Sequence, residues 1–472
     1  RMERFPCSGW LHLTVSDVSE IAIISVKHKC DHVAYLNIDL PNHWKAYIEE
    51  HACTQTPGQV SPSLVVVEKQ IDVPFRSKAV YYYWGTVCRR EWRLSDTPLA
   101  SARKFLEERG EEFNVRALDI KEEPGTEVVA FYVKDFVNEW ARNTQELGLD
   151  STWNTNGGNF ELFAAVADAD GAGIPLAFLF ISTSKGTDSG AKQIVLERFL
   201  GELKLLGVNP EFTLSDKDWS EINAMQATWT TAKHQLCFWH ALRAVKQRLS
   251  KNKATPAPYD PEEAHHNFSF IDPQFVPLAQ QKHTDGTASG PPPKRPDYQF
   301  CPAAHRLPIL RLFAKHASQH PLLPERHGQA RTAEDIYRDA VSEMYHHCFA
   351  NNLREAWAYL WNSWYRRPRW NLWARSAYSA SIPCKRTTMM VEALWWNLKR
   401  LVLHMYNRPP VDLALYALIT QALPSYRLKL HGIVTNPRPG RPAASLCYSA
   451  SNETRVVTSF QGPHPRRVQH RP

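Results

Sequence analysis

No CxxC pair occurs anywhere in the 472 residues, and the nine cysteines (Cys7, Cys30, Cys53, Cys88, Cys237, Cys301, Cys348, Cys384 and Cys447) are odd in number and widely scattered. Such a set builds no disulfide framework and points to a reducing compartment. No apolar run reaches the ~18 residues that a membrane span needs, and no charged-then-apolar leader opens the chain. Neither a membrane partner nor a secretory route is therefore expected. The sequence starts on Arg1 rather than Met, so upstream residues are expected to be missing. There is no internal repeat. Acidic residues are scarce at one end only: residues 351–472 hold 18 basic side chains and four acidic ones (Glu355, Glu392, Asp412, Glu453), whereas residues 1–350 hold 38 basic and 44 acidic. The net charge of +8 is thus the sum of −6 and +14. A basic end of this kind suits a polyanion, and nucleic acid is the expected class.

What is present reads as a globular α/β chain. Apolar types make up 43% and charged types 22%, enough to bury a core in two to four domains. Residues 8–40 alternate in short β-like runs (GWLHLTV, IAIISV, VAYLNI), and LPNHWKAYIEEHACT then reads as a helix. Residues 1–60 form a small β-rich module and 61–124 a helical connecting module. Within the latter, Thr97 is an N-cap, Pro98 opens a helix and Gly110 stops it. From 125 to 250 the pattern becomes three antiparallel strands (TQELGLDSTW, NFELFAAVAD, GIPLAFLFIS), an amphipathic helix closed by Gly207, a buried strand PEFTLSD, a helix, a strand HQLCFW and a basic helix. Residues 251–302 are Pro-rich and open an insertion running to 384. Two helices follow within 385–430, the second started by Pro410 and closed at Pro424, and 431–472 is a basic, disordered tail.

Three carboxylates stand where chain geometry can unite them. Asp150 lies in the first strand of the sheet, and Asp216 follows a buried strand. Residues at neighbouring strand ends of an open α/β sheet face one crevice. Glu392 sits at the edge of the apolar stripe Val391, Leu394, Trp395, Leu398 and Val402, beside a tryptophan pair in a basic region. Divalent cations would offset that charge, and Mg²⁺ or Mn²⁺ held by three acids can drive phosphodiester displacement. The competing reading of strand-end Asp is a turn or helix cap. Asp218 rivals Asp216 but looks like an N-cap, and Asp168, Asp170 and Asp188 are turn or cap residues by default. Trp357, Trp361 and Trp364 have core spacing rather than base-stacking spacing. The cations interleaved with the tryptophans (Arg366, Arg367, Arg369, Arg375) and those after Glu392 (Lys399, Arg400) are the expected phosphate contacts.

These motifs resemble the Mutator-like element (MULE) transposase family, in its fungal form. The resemblance is carried by LGLDSTWNTN, by FTLSDKDWSEINA, by Cys237-Phe238-Trp239-His240, and by Thr387-Thr388-Met389-Met390-Val391-Glu392 through Leu398-Lys399. It implies an RNase H-like mixed sheet with a helical insertion and a DDE mechanism. Asp150, Asp216 and Glu392 would be catalytic metal ligands that cut element ends and join the 3′-hydroxyl to target DNA. It also implies nuclear location, terminal-repeat and target DNA as partners, and a homo-oligomer on DNA. Cys237 and His240 match the family motif without an assigned role; the plain alternative is a core Cys and a helix-start His. Met389 stands where the family usually has Asn, and no zinc finger follows residue 425. Cys7, His28 and His32 (or Cys30) resemble part of a FLYWCH- or WRKY-type zinc module, which would bring in Zn²⁺ and read DNA ends. The other expectation is a retained, non-catalytic DNA-binding regulator.

Overall fold

The computed structural model describes residues 8–15, 21–28, 40–52, 55–68, 77–188, 190–252, 259–281, 299–323, 331–406 and 408–435. It divides into two compact units. The first comprises Arg1–Arg93 with His404–Asn407, and the second Leu94–Leu403 with Arg408–Pro472. Among the described residues no helix is long and apolar enough to cross a membrane.

In the first unit, β1 (Trp10–Val15) and β2 (Ala22–Lys27) form an antiparallel hairpin in register from Trp10↔Lys27 to Val15↔Ala22. Three helices follow, α1 (Asn42–His51), α2 (Pro57–Glu68) and α3 (Ser77–Trp92). The apolar stripe Val80, Trp84 and Cys88 of α3 is buried, and the Trp84 indole donates to the Gln55 carbonyl at 2.9 Å. Of the three residues expected to hold zinc, His28 is exposed just after β2, while Cys7 and His32 lie outside the described residues, as does Cys30.

The second unit begins with α4 (Pro98–Arg109), where Thr97 accepts from Ala100 N and Pro98 occupies the first turn, as its sequence predicts. Next come β3 (Val115–Leu118), β4 (Thr126–Val133), α5 (Lys134–Trp140), β5 (Glu146–Thr152), β6 (Glu161–Ala169) and β7 (Ala172–Thr183). Then follow α6 (Ala191–Leu205), β8 (Phe212–Ser215), α7 (Trp219–Thr228), β9 (Lys233–Leu236) and α8 (Phe238–Ser250). The seven strands order as β3-β4-β7-β6-β5-β8-β9. Neighbours are antiparallel as far as β5, and β5-β8 and β8-β9 are parallel. Counted from β5 the order is third, second, first, fourth, fifth: an RNase H-like mixed sheet. Strands β6 and β7 are covered on both faces, which is why they read as unbroken apolar runs rather than alternating ones.

The unit break at Arg93/Leu94 falls inside the expected 61–124 helical module. Helix α4 belongs with the sheet, and β3 and β4 extend the sheet beyond the three antiparallel strands expected. Strand β3, only four residues long, gives too short a period to register against its Glu-rich flanks.

The insertion supplies α9 (Pro261–Asn267), α10 (Ala303–Ser318), α11 (Ala333–Ala350), α12 (Arg354–Leu360) and α13 (Arg367–Trp373). Thr332 and Asp335 close a reciprocal capping box at the start of α11. Trp357, Trp361, Trp364 and Trp370 are each at most 1% exposed, so they are core and not stacking platforms. Part of the Pro-rich stretch is ordered as α9, with Asp260 as its cap.

The chain closes with α14 (Met389–Asn397), α15 (Val411–Ala417) and α16 (Leu423–Thr435), and π-helical turns at Leu398–Val402 and Leu418–Ala422 follow α14 and α15. Pro424 does not end the second helix. It lies in the first turn of α16, where its missing N–H costs no helical bond, and the chain stays helical to Thr435. Residues 431–435 of the expected tail are thus helical, and residues 436–472 lie outside those described.

Candidate active site

Register alone brings the first three groups into line. On β5 and β8 the parallel pairs Glu146↔Phe212, Leu147↔Thr213 and Gly148↔Leu214 set a constant offset, so Asp150 is level with Asp216 two residues on. On β8 and β9, Phe212↔Lys233 through Ser215↔Leu236 put Asp216 level with Cys237. The row Asp150, Asp216, Cys237 therefore crosses three adjacent strand ends at a spacing of about 4.8 Å per strand. Asp218, the rival, is a helix cap: its carboxylate accepts from Ser220 N at 2.8 Å and pairs with Lys192 at 2.9 Å. Asp168 and Asp188 likewise accept from the turn amides of Gly171 and Gly190, and Asp170 takes a left-handed φ of 48°.

Helix α14 delivers Glu392 to the row because the sheet beneath it is stripped of side chains. A Cβ on Gly148 would stand 2.7 Å from Met390 Cε and 3.1 Å from Val391 Cγ2. One on Gly173 would stand 2.8 Å from Met390 Cβ and 3.2 Å from its carbonyl oxygen. The two glycines let the helix backbone approach closer than any other residue would.

The segment entering α14 is tied down at each step. Buried Glu146 accepts the backbone N–H groups of Cys384 and Lys385, the latter at 2.8 Å, and the Lys385 ammonium meets Asp168 at 3.0 Å. The Arg386 carbonyl accepts from Phe238 N at 2.8 Å. Fully buried Thr388 then donates its N–H to Cys237 Sγ and its hydroxyl to Asp216 Oδ1, each at 3.5 Å. Met389 is exposed, and the polar tie to Asp216 comes from Thr388.

His240, in the first turn of α8, occupies the middle of the site. Its Nδ1 is in ion-pair contact with Asp216 Oδ1, and its Nε2 lies 3.6 Å from Glu392 Oε1. Burial works against an imidazolium here, but hydrogen bonds to Asp216 and Cys237 outweigh it and raise the pKa to about 10. Asp150 accepts from Ser151 N at 2.8 Å and from the Trp395 indole at 3.2 Å. Burial and then the negative charge of Asp216 push its carboxyl up to about 7. Glu221, on α7, was not anticipated. It is 2% exposed, its Oε2 has no hydrogen-bond partner among the described residues, and burial followed by Asp150, Asp218 and Asp216 raises its pKa well above the usual range. In the sequence Glu221 looks like an ordinary first-turn acid of a helix capped by Asp218, and only the crowding of strand ends makes it unusual.

The donor chemistry fits a divalent cation: carboxylates crowd a partly open crevice, and two of them resist ionisation because they are buried beside other acids. Asp150, Asp216 and Glu392 supply hard oxygen donors. Asp216, Cys237 and His240 offer ligand atoms all within 4.8 Å of one another.

The expected phosphate contacts divide. Arg375 is 3% exposed and donates to the Pro383 carbonyl, so it is a structural residue. Arg366 pairs with Glu263 at 2.7 Å, and Arg367 pairs with Glu334 and lies 3.9 Å over the Tyr337 ring. Arg369 sits 4.2 Å over Trp219, whose helix begins three residues after Asp216. Lys399 and Arg400 follow α14 on the π turn, with Lys399 near enough to Asp150 to interact with its charge.

Residues 147–244 match the family model of the MULE transposase domain. That match makes this segment similar to a transposase-related domain. A curated relative, Mating-type protein ALPHA3 of Kluyveromyces lactis, is 21% identical over 422 residues, which is 84% of this chain and 44% of the relative. The chain thus spans less than half the length of that relative.

Proposed function

We propose that the chain, whose residues 147–244 match the MULE transposase domain, is the catalytic core of a DDE-type DNA transposase that cuts element ends and joins the freed 3′-hydroxyl to target DNA. The observation that carries this reading is the convergence of Asp150, Asp216 and Glu392 from β5, β8 and α14 around His240. The three acids would hold Mg²⁺ or Mn²⁺, which when bound activates the attacking oxygen and stabilises the leaving one. The protein's own part is orientation. Thr388 and His240 fix Asp216, Trp395 fixes Asp150, and the Gly148–Gly173 seat fixes Glu392. Lys399, Arg400 and Arg369 lie on the elements flanking the acids and would contact phosphates. Residues 125–250 and 385–430 act as the two parts of one core, with 251–384 inserted. The first unit would read terminal-repeat DNA, and the protein would work in the nucleus as a homo-oligomer on DNA.

The test is nicking of terminal-repeat DNA with Mg²⁺ or Mn²⁺. Activity that requires the metal and disappears in Asp150→Ala, Asp216→Ala and Glu392→Ala supports the reading, and a wild type no better than these variants sinks it. A second reading, a retained transposase-derived DNA-binding regulator, is favoured by the mating-type name of the relative. It predicts DNA binding by wild type and variants alike, without nicking.

A further inference from the structure

The Asp216–Cys237–His240 cluster has a chemistry that a Mg²⁺ centre does not need. A thiol is a poor ligand for a hard cation and a good one for Zn²⁺ and its first-row neighbours. Cys237 is fully buried, yet it is held as an acceptor rather than as filler. The Thr388 N–H points at its Sγ from 3.5 Å, and it stands at the N-cap position of the thirteen-residue helix α8. Asp216 and His240 are only partly buried, with side chains 29% and 23% exposed, so the cluster has a closed sulfur side and an open side toward Glu392.

We infer that Asp216, Cys237 and His240 form a binding site for a borderline transition metal, Zn²⁺ foremost, with its fourth position open to solvent. One sulfur, one nitrogen and one oxygen donor with an open place is the ligand count of a zinc site that exchanges water. The ligand atoms lie within 4.8 Å of one another, so bonds of about 2.0–2.3 Å to a single ion require the Asp216–His240 contact to open and the three groups to draw in around the ion. The inference rests on the proposed nuclease reading only through Asp216, which the two sites share. Zinc bound here would engage a carboxylate the Mg²⁺ chemistry uses.

The experiment uses the full chain stripped with a chelator and titrated with CoCl₂. A saturable near-ultraviolet cobalt–thiolate charge-transfer band is expected, displaced by Zn²⁺ and absent in Cys237→Ser. His240→Ala should weaken cobalt binding by at least about ten-fold, since loss of an outer-shell partner alone costs that much. No thiolate band in the wild type, or a band of full strength in Cys237→Ser, overturns the inference. Should Cys237→Ser fail to fold, an unchanged cobalt affinity in His240→Ala overturns it instead. Glu392→Gln separates the two readings: it should keep the band while losing Mg²⁺-dependent nicking.

Discussion

In the helical insertion, acids and bases meet in pairs: Arg366 with Glu263, Arg367 with Glu334, Lys315 with Glu343. In the strand-end crevice, Asp150, Asp216 and Glu392 gather around the imidazole of His240, with Glu221 buried close behind. Aromatics divide the same way. Trp357, Trp361, Trp364 and Trp370 are sealed in the insertion, whereas Trp153, Trp219, Trp239 and Trp396 lie 37–59% exposed within four residues of Asp150, Asp216, His240 and Glu392. The insertion therefore spends its charged and aromatic residues on holding itself together, and the crevice leaves its own unbalanced. Imbalance in a folded chain is tolerated where a ligand completes it.

The contrast is broken most severely at Asp216. Asp216→Ala should cut metal-dependent nicking about a thousand-fold or more, the equivalent of roughly 4 kcal/mol of transition-state stabilisation, yet leave the thermal midpoint unchanged or higher because a carboxylate leaves a crowded site. Trp361→Ala is the converse. Denaturant titration should show a loss of about 3–5 kcal/mol from the insertion core. Gly173→Ala tests the seat of α14. The added Cβ meets Met390 Cβ and Val166 Cγ1 at 2.8 and 3.0 Å, so stability should fall by about 1–3 kcal/mol and nicking should drop with it.

A pH series sharpens the comparison further. The Glu221 carboxyl titrates above its ordinary 4.5, so the folded state binds more protons than the unfolded one and loses stability as pH rises through that raised value. Glu221→Gln carries no such penalty. In chelator, its midpoint advantage over wild type should be absent near about pH 4 and grow toward about pH 8. The smallest effects belong to surface cations. Lys399→Gln and Arg400→Gln should each reduce the salt dependence of DNA binding by about one unit of slope, while Arg366→Gln should leave it unaltered and cost under about 1 kcal/mol of stability.

The sheet and the acids were legible in the sequence because they obey local rules. Asn156-Gly157-Gly158 and Asp170-Gly171 mark the turns between β5, β6 and β7, and Asp150 and Asp216 sit at ends of runs whose period is plain. Glu392 stood out through its apolar stripe. What was not legible depends on contacts across long separations. The arginines near 370 pattern like a phosphate-binding strip, but Glu263 and Glu334, some hundred and some thirty residues earlier, neutralise two of them, and a fold closes over Arg375. His240 carried a family motif without a role. Its place between Asp216 and Glu392 follows only once α8 and α14 are laid on the same sheet. Pro424 misled because proline stops a helix in its interior and begins one in its first turn, and the sequence does not say which turn it is in.

The seating of α14 on Gly148 and Gly173 has a consequence for synthesis. The first two acids and His240 leave the ribosome more than 150 residues before Glu392, and the sheet they belong to can form in that interval. The groove over the two glycines stays vacant until the whole insertion has emerged. A nascent or prematurely terminated chain thus presents the strand-end crevice without Glu392, and the three acids meet only when the last helices dock.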